Sequence, residues 1–147
     1  MRKTFALLWL WMQCAATHAA LGATPTDFGI AQAGLKARVL AFATSNYKVN
    51  ETTLESGTLV REYVNRNGVV FAVSWTGPFL PDLRTLLGNH FVTLTSETAK
   101  KPKAGHSQVN IARPEVVIVS RGHMRAYAGR AWMESEFPAG FSATNID

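Results

Sequence analysis

The sequence predicts an α+β fold, in which an antiparallel β-meander of about five or six strands carries one main helix on one of its faces. Three β-branched segments separated by turn residues occupy Tyr47 to Trp75, and this pattern is typical of an antiparallel meander. An apolar stripe with helical spacing follows from Pro81 to Leu94, as in a helix that lies on a sheet. Strand-like segments return from Val109 onward.

The amino-terminal segment has the layout of a secretory signal peptide. Arg2 and Lys3 precede an uncharged run, and small residues follow around Ala19, which are the three parts of such a leader. The apolar run is shorter than the roughly 20 residues that a membrane-spanning helix needs. We therefore expect cleavage after Ala19 or Ala20, a periplasmic or secreted product, and no membrane span once the leader is removed.

Loss of the leader changes what the mature chain can do. Removal of residues 1–19 leaves 128 of the 147 residues, enough for a single compact domain over residues 20–147. Cys14 is the only cysteine, so its loss leaves no disulfide to stabilise the fold. The net charge falls from +5 to +3 when Arg2 and Lys3 are lost. Since nucleic-acid binders usually concentrate many basic residues on one face, this mild excess argues against a nucleic-acid partner.

The mature chain is expected to begin with an irregular lead over residues 20–27, which are rich in Gly, Pro and Thr. Phe28 to Thr44 fits helical spacing in its first part and strand alternation in its last part. We therefore expect a short helix that runs into a strand.

The meander is expected to contain the strands Tyr47 to Leu54, Thr58 to Val64 and Val69 to Trp75. Asn67-Gly68 is the strongest turn signal, because both residue types tolerate the positive φ of a tight hairpin turn. The second strand has two different faces, with Val60 and Val64 on one and Leu59, Arg61 and Tyr63 on the other. In the third strand, one face is expected to hold Val69, Phe71, Val73 and Trp75, and the other Val70 and Ala72.

The main helix is expected over Pro81 to Leu94. Proline suits the first turn of a helix, and the carboxylate of Asp82 is favourable near the positive end of the helix dipole. Gly88 either caps this helix or divides it into two pieces. Residues 96–107 contain lysines, a proline and a glycine, which favours an irregular connection.

The last hairpin is expected to pair Glu115 to Val119 with His123 to Trp132 around a turn at Ser120 to Gly122. Alternation then places Met124, Ala126 and Ala128 towards the core, and His123, Arg125 and Tyr127 on the opposite face. Residues 134–147 are expected to form an irregular tail.

The candidate binding residues are predicted to line a shallow site for an anionic ligand or a partner: His123, Arg125, Tyr127, Arg61 and Tyr63. A purely structural alternative remains for the hairpin. In that alternative His123 hydrogen-bonds the turn, and Arg125 pairs with Glu62 or Glu115.

No catalytic residue, metal site or cofactor site is predicted. The mature chain has no cysteine and no serine in a nucleophile-elbow pattern. His90, His106 and His123 are widely spaced, unlike the paired histidines of zinc sites. The glycines form neither a P-loop nor a dinucleotide-binding fingerprint.

A resemblance to a known family rests on residues 47–88, on residues 116–132 and on the tail FPAGFSATNID. These stretches resemble the short exported bacterial proteins catalogued as domain of unknown function 2844, in which similar SGT-VREYV, VFAVAW-like, GP-LPDL-LLG and GGHM-AFAG-AW segments recur. Arg121 stands where the family pattern more often has glycine. The resemblance implies export and a single compact domain, and it brings no activity, substrate or catalytic residue.

The expected function is therefore that of an exported, non-enzymatic domain that binds an envelope protein or a small ligand. Arginine and aromatic side chains on the less apolar side of the sheet suit such a contact surface. One alternative is an envelope hydrolase with a site around His123, Glu62 and Asp82. Another is a structural subunit that assembles through exposed strand edges.

Overall fold

The described part of the chain forms an antiparallel sheet with its main helix on one face, which confirms the predicted α+β class. The structure is a computed structural model and describes residues 21–25, 38–44, 46–100 and 108–147. The predicted leader, the helix expected after Phe28 and residues 101–107 of the expected connection lie outside the described residues. The expectation of an irregular connection is wrong for residues 96–99, which are helical.

Seven strands form one sheet within the described residues, one or two more than expected. They are β1 (Arg38–Ala43), β2 (Tyr47–Thr53), β3 (Leu59–Asn65), β4 (Val70–Gly77), β5 (Gln108–Ala112), β6 (Val117–His123) and β7 (Ala126–Trp132). Their order across the sheet is β1-β2-β3-β4-β7-β6-β5. Two meanders therefore meet where β4 pairs with β7, and the helix lies in the connection between them.

The turn between β3 and β4 forms where the Asn-Gly signal predicts it. The side-chain Oδ1 of Asn65 accepts hydrogen bonds from the backbone N–H groups of Asn67 and Val69, both at 3.0 Å. Gly68 adopts a φ of 79°, a conformation that glycine adopts at little cost.

The helix is divided at Gly88, as one of the two expectations for this residue had it. Helix α1 (Leu83–Leu87) continues through a 3-10 turn (Gly88–His90) into helix α2 (Phe91–Ala99), five residues beyond the predicted end. Asp82 caps α1, since its Oδ1 accepts hydrogen bonds from the N–H groups of Arg84 at 3.0 Å and Thr85 at 3.4 Å. Such a cap satisfies N–H groups that the helix itself cannot pair.

The helix-side face of the sheet, defined as the face that α1 and α2 cover, contains the larger core. Its buried residues include Val60, Val73, Trp75, Leu86 and Leu87. A side chain at position 129 has no room there, because a Cβ on Gly129 would lie 2.2 Å from Cζ2 of Trp75. The indole of Trp75 therefore rests directly on the backbone of β7.

The opposite, tail-side face is covered by residues 137–147. Phe141 lies at the centre of an aromatic cluster whose ring centroids are 4.8–5.9 Å from its own; the other members are Tyr47, Tyr63, Phe71 and Phe137. Offset and edge-to-face ring pairs of this kind stabilise a core beyond the area they bury. The tail that the sequence predicts as irregular is thus fixed against the sheet.

A β-bulge after Tyr63 interrupts the pairing of β3 with β4. Val70 belongs to the helix-side core, whereas Phe71 belongs to the tail-side cluster. Beyond the bulge, Val73 and Trp75 return to the helix side. The predicted face assignment is therefore wrong at Val70 and Phe71, because the bulge ends strict alternation.

The last hairpin turns later than predicted. Strand β6 continues through Gly122 to His123, which pairs with Ala126, so the turn consists of Met124 and Arg125. Gly122 instead accommodates an aromatic ring, since a Cβ there would lie 2.8 Å from Cδ1 of Tyr127. Its missing side chain serves packing and not a turn.

The short described segment at residues 21–25 is docked onto the sheet. The N–H of Leu21 donates to the carbonyl of Leu86 at 3.0 Å, and the N–H of Gly22 donates to the carbonyl of Val70 at 2.8 Å. The side chain of Leu21 is buried in the helix-side core. Part of the lead expected to be irregular therefore contributes to the core.

The contact between Trp75 and Gly129 predicts a strong effect of Gly129→Ala. The new methyl group must displace a buried indole, and such overpacking costs about 2 kcal/mol or more of unfolding free energy. Gly122→Ala is the matched control, because the half-exposed ring of Tyr127 can move away. Urea denaturation of both variants measures the difference, and equal losses of stability would show that Trp75 can relocate freely.

His90 predicts a loss of stability in mild acid. Burial lowers the pKa of its imidazole, and Glu115 opposes this shift only in part. The folded state therefore binds fewer protons than the unfolded state, whose histidine pKa is about 6.5, so stability is greatest above that pH and declines as pH falls through it. His90→Gln should flatten this decline in urea midpoints between neutral and mildly acid pH. An unchanged slope in His90→Gln would contradict the assignment.

Candidate functional site

The structure separates the five residues that the sequence analysis selects. His123 ends β6, Arg125 lies in the turn with a φ of 62°, and Tyr127 lies on β7. His123 and Gly122 are neighbours on β6, and Tyr127 pairs with Gly122, so Tyr127 and His123 are on opposite faces. The expectation that these three residues share one face is wrong.

The expected core face of this hairpin is wrong as well. Met124 is 92% exposed, and Ala126 and Ala128 are also exposed. Neither the helix nor the tail covers this end of β7. On the same strand, burial begins only at Ala131 and Trp132, where both covering layers are in place.

Arg61 and Tyr63 lie together on the tail-side face of β3. The Nε of Arg61 is 2.9 Å from Oε2 of Glu51, and this hydrogen bond raises the pKa of the Arg61 guanidinium. The hydroxyl of Tyr63 accepts a hydrogen bond from the backbone N–H of Asp147 at 3.1 Å. Burial raises the pKa of this hydroxyl. Two strands separate β3 from β6, so the hairpin turn lies at least about 14 Å away.

A pocket on the tail-side face brings arginines together that the sequence analysis does not select. This arginine pocket has a volume of about 190 Å³, and its lining includes Thr76, Val119, Arg121, Ala128, Arg130 and Asp147. Arg130 and Arg61 both pair in register with Ser74 of β4, so they belong to one row across the sheet. Arg121 pairs with Ala128 in the next row.

The tail fixes the guanidinium of Arg130 in this pocket. Its Nη1 donates to the carbonyl of Ile146 at 3.1 Å, and the group lies 5.6 Å from the ring centroid of Trp132. Within the described residues, neither Arg121 nor Arg130 forms an ion pair. Because arginine presents five N–H donors in a planar fork, a single carbonyl leaves donors for a carboxylate or phosphate.

Arg130 could have been found in the sequence. The alternation that places Ala126 and Ala128 on the predicted core face also places Arg130 there. An arginine on a core face requires a hydrogen-bonding partner. The partner is the carbonyl of Ile146, which accepts a hydrogen bond from Arg130, and no local sequence pattern connects these two residues.

A larger cleft of about 410 Å³ lies between the turn of residues 65–68 and the tail. Asn46 spans it, since its Oδ1 accepts from Nη2 of Arg66 at 3.1 Å and its Nδ2 donates to the carbonyl of Ala139 at 3.1 Å. These polar groups hold the tail to the sheet. The polar groups of this cleft therefore contribute to the structure by linking the tail to the sheet.

The residues of the hydrolase alternative lie on three separate elements. Glu62 is buried in the middle of β3, Asp82 caps α1, and His123 is exposed at the end of β6. Within the described ranges, no three His, Cys, Asp or Glu side chains are grouped so that they could hold a metal ion. None of the described helices has the length and apolar character of a bilayer span.

Comparison with known proteins finds a match to a family described as protein of unknown function (DUF2844), whose sequence model covers residues 17–146. No curated protein and no solved structure matches the chain. The match spans nearly the whole chain, including the seven described strands and the tail as far as Ile146. The chain therefore belongs to the DUF2844 family, as the resemblance in its strand and tail motifs implies.

Proposed function

We propose that this protein is an exported, non-enzymatic binding protein whose arginine pocket holds a carboxylate or phosphate group of a small ligand or of an envelope protein. The observation that carries this proposal is the pair Arg121 and Arg130, which line one pocket without an ion pair among the described residues. The leader-like start of the sequence supports a periplasmic or secreted location.

Binding fits the chemistry of the pocket better than catalysis does. A guanidinium stays protonated in proteins, so it can hold an anion but cannot exchange a proton with a substrate. The hydrogen bonds from Arg130 to the carbonyl of Ile146 and from the N–H of Asp147 to the hydroxyl of Tyr63 fix the wall of the pocket before a ligand arrives. Groups held in place in this way lose little entropy on binding.

The carboxylate of Asp147 sets a limit on the ligand. It lies close enough to Arg61 to contribute to the raised pKa of that guanidinium, and it also lines the pocket. A bound anion must therefore approach from the side of Arg121 and Ala128, where the surface is exposed. Such a ligand is expected to lie along β6 and β7 and not across β3.

Titration with succinate and with inorganic phosphate tests the proposal. We expect saturable amide chemical-shift changes at Ala128 and Gly129. Arg121→Gln and Arg130→Gln should each weaken binding about tenfold, the effect of losing one hydrogen bond to a charged group. Arg125→Gln is the matched control and should bind as the unchanged protein does.

Two outcomes would contradict the proposal. One is the absence of saturable shifts near Gly129 with either anion. The other is a loss of binding in Arg125→Gln as large as that in Arg130→Gln, which would move the site to the hairpin turn that the sequence analysis favours.

A further inference from the structure

The turn of the β6–β7 hairpin projects beyond the rest of the sheet. On one side, pairing with β4 ends at Tyr127, opposite Gly77. On the other side, pairing with β5 ends at Arg121, opposite Gln108. Residues 123–126 therefore have no neighbouring strand among the described residues, and they extend roughly 7 Å past their neighbours at the usual rise per residue.

Large apolar side chains are exposed at this same end of the sheet. Met124 is 92% exposed at the turn, and Phe79 and Leu80 are 58% and 48% exposed just after β4. The backbone of Phe79 is fixed, since the hydroxyl of Thr58 donates to its carbonyl at 2.7 Å and accepts from its N–H at 3.4 Å. These hydrogen bonds restrain the backbone of Phe79 in a position where its ring is exposed to solvent.

Basic groups flank these apolar side chains. His123 and Arg125 lie on either side of Met124, and Arg121 follows on the same face as His123. Two acidic residues lie on the neighbouring connections. Glu55 is in the turn between β2 and β3, and Asp82 is engaged as the cap of α1.

We propose that this end of the sheet, the apolar tip formed by Phe79, Leu80, His123, Met124 and Arg125, binds the surface of an anionic phospholipid bilayer. Its apolar groups project from two separate loops, a convex shape that can enter a fluid acyl boundary by roughly 5–10 Å. The guanidinium groups of Arg121 and Arg125 match the phosphates of anionic headgroups, which attract basic residues next to a membrane. Arg121 lies between this surface and the arginine pocket, but none of the five tip residues lines that pocket.

Vesicle co-sedimentation tests the proposal with the protein as it is recovered from the producing cell. The protein should sediment with vesicles of equal parts phosphatidylcholine and phosphatidylglycerol, and much less with phosphatidylcholine alone. The double variant Phe79→Ser/Met124→Ser should lose at least about tenfold in partitioning, because two apolar side chains no longer enter the interface. Arg125→Gln should reduce sedimentation severalfold.

Val92→Ser is the matched control, since Val92 is 69% exposed on α2, a helix that contributes no residue to the tip. It should sediment as the unchanged protein does, and all variants should keep their unfolding temperature because the changed side chains are exposed. Equal losses in Val92→Ser and in the double variant would overturn the proposal, as would sedimentation that ignores phosphatidylglycerol. Loss of self-association instead of vesicle binding in the double variant would assign the tip to a second copy of the chain.

Arg130→Gln separates this proposal from the proposed function. It should weaken binding of succinate about tenfold and leave vesicle binding unchanged. If the protein binds vesicles but neither anion, only the proposal for the apolar tip is supported. If it binds an anion but no vesicles, only the proposal for the arginine pocket is supported.

Discussion

Strand β4 is buried on both faces, and most of the structure follows from the need to cover it. Every residue from Val70 to Trp75 is shielded from solvent. The helix covers one side through Leu86 and Leu87, and the tail covers the other through Phe137 and Phe141. The helix follows β4 directly along the chain, whereas the tail follows β7. Two segments that are distant in sequence therefore pack against the same strand.

The bulge after Tyr63 determines which side chains of the sheet contact the tail. It turns Phe71 towards the tail side, where its ring centroid lies 4.8 Å from that of Phe141. With the rings in contact, the end of the tail comes within hydrogen-bonding distance of Tyr63 and Arg130. A local irregularity in one hairpin thus places the residues that form the wall of the arginine pocket.

Local patterns predict most of the strands, a cap or a division of the helix at Gly88, and the two faces of β3, because each depends on neighbours within a few residues. Local patterns fail at Gly122, because a glycine there predicts a turn, whereas the residue lies in a strand and makes room for the ring of Tyr127. The actual turn lets Arg125 adopt a φ of 62° without a glycine. They also miss the pocket, since the bond between Arg130 and Ile146 joins segments that no periodicity relates.

The hairpin of β6 and β7 changes character along its length as its cover ends. Ala131 and Trp132 are buried between helix and tail, Gly129 and Arg130 are half-buried where the tail stops, and Ala126 and Ala128 are exposed. Solubility alone would favour polar residues beyond the cover, since exposed apolar groups promote non-specific association. The chain places Met124 there instead, between two basic residues. Both candidate binding surfaces therefore begin where the covering layers end, on side chains that the packing of the core does not require.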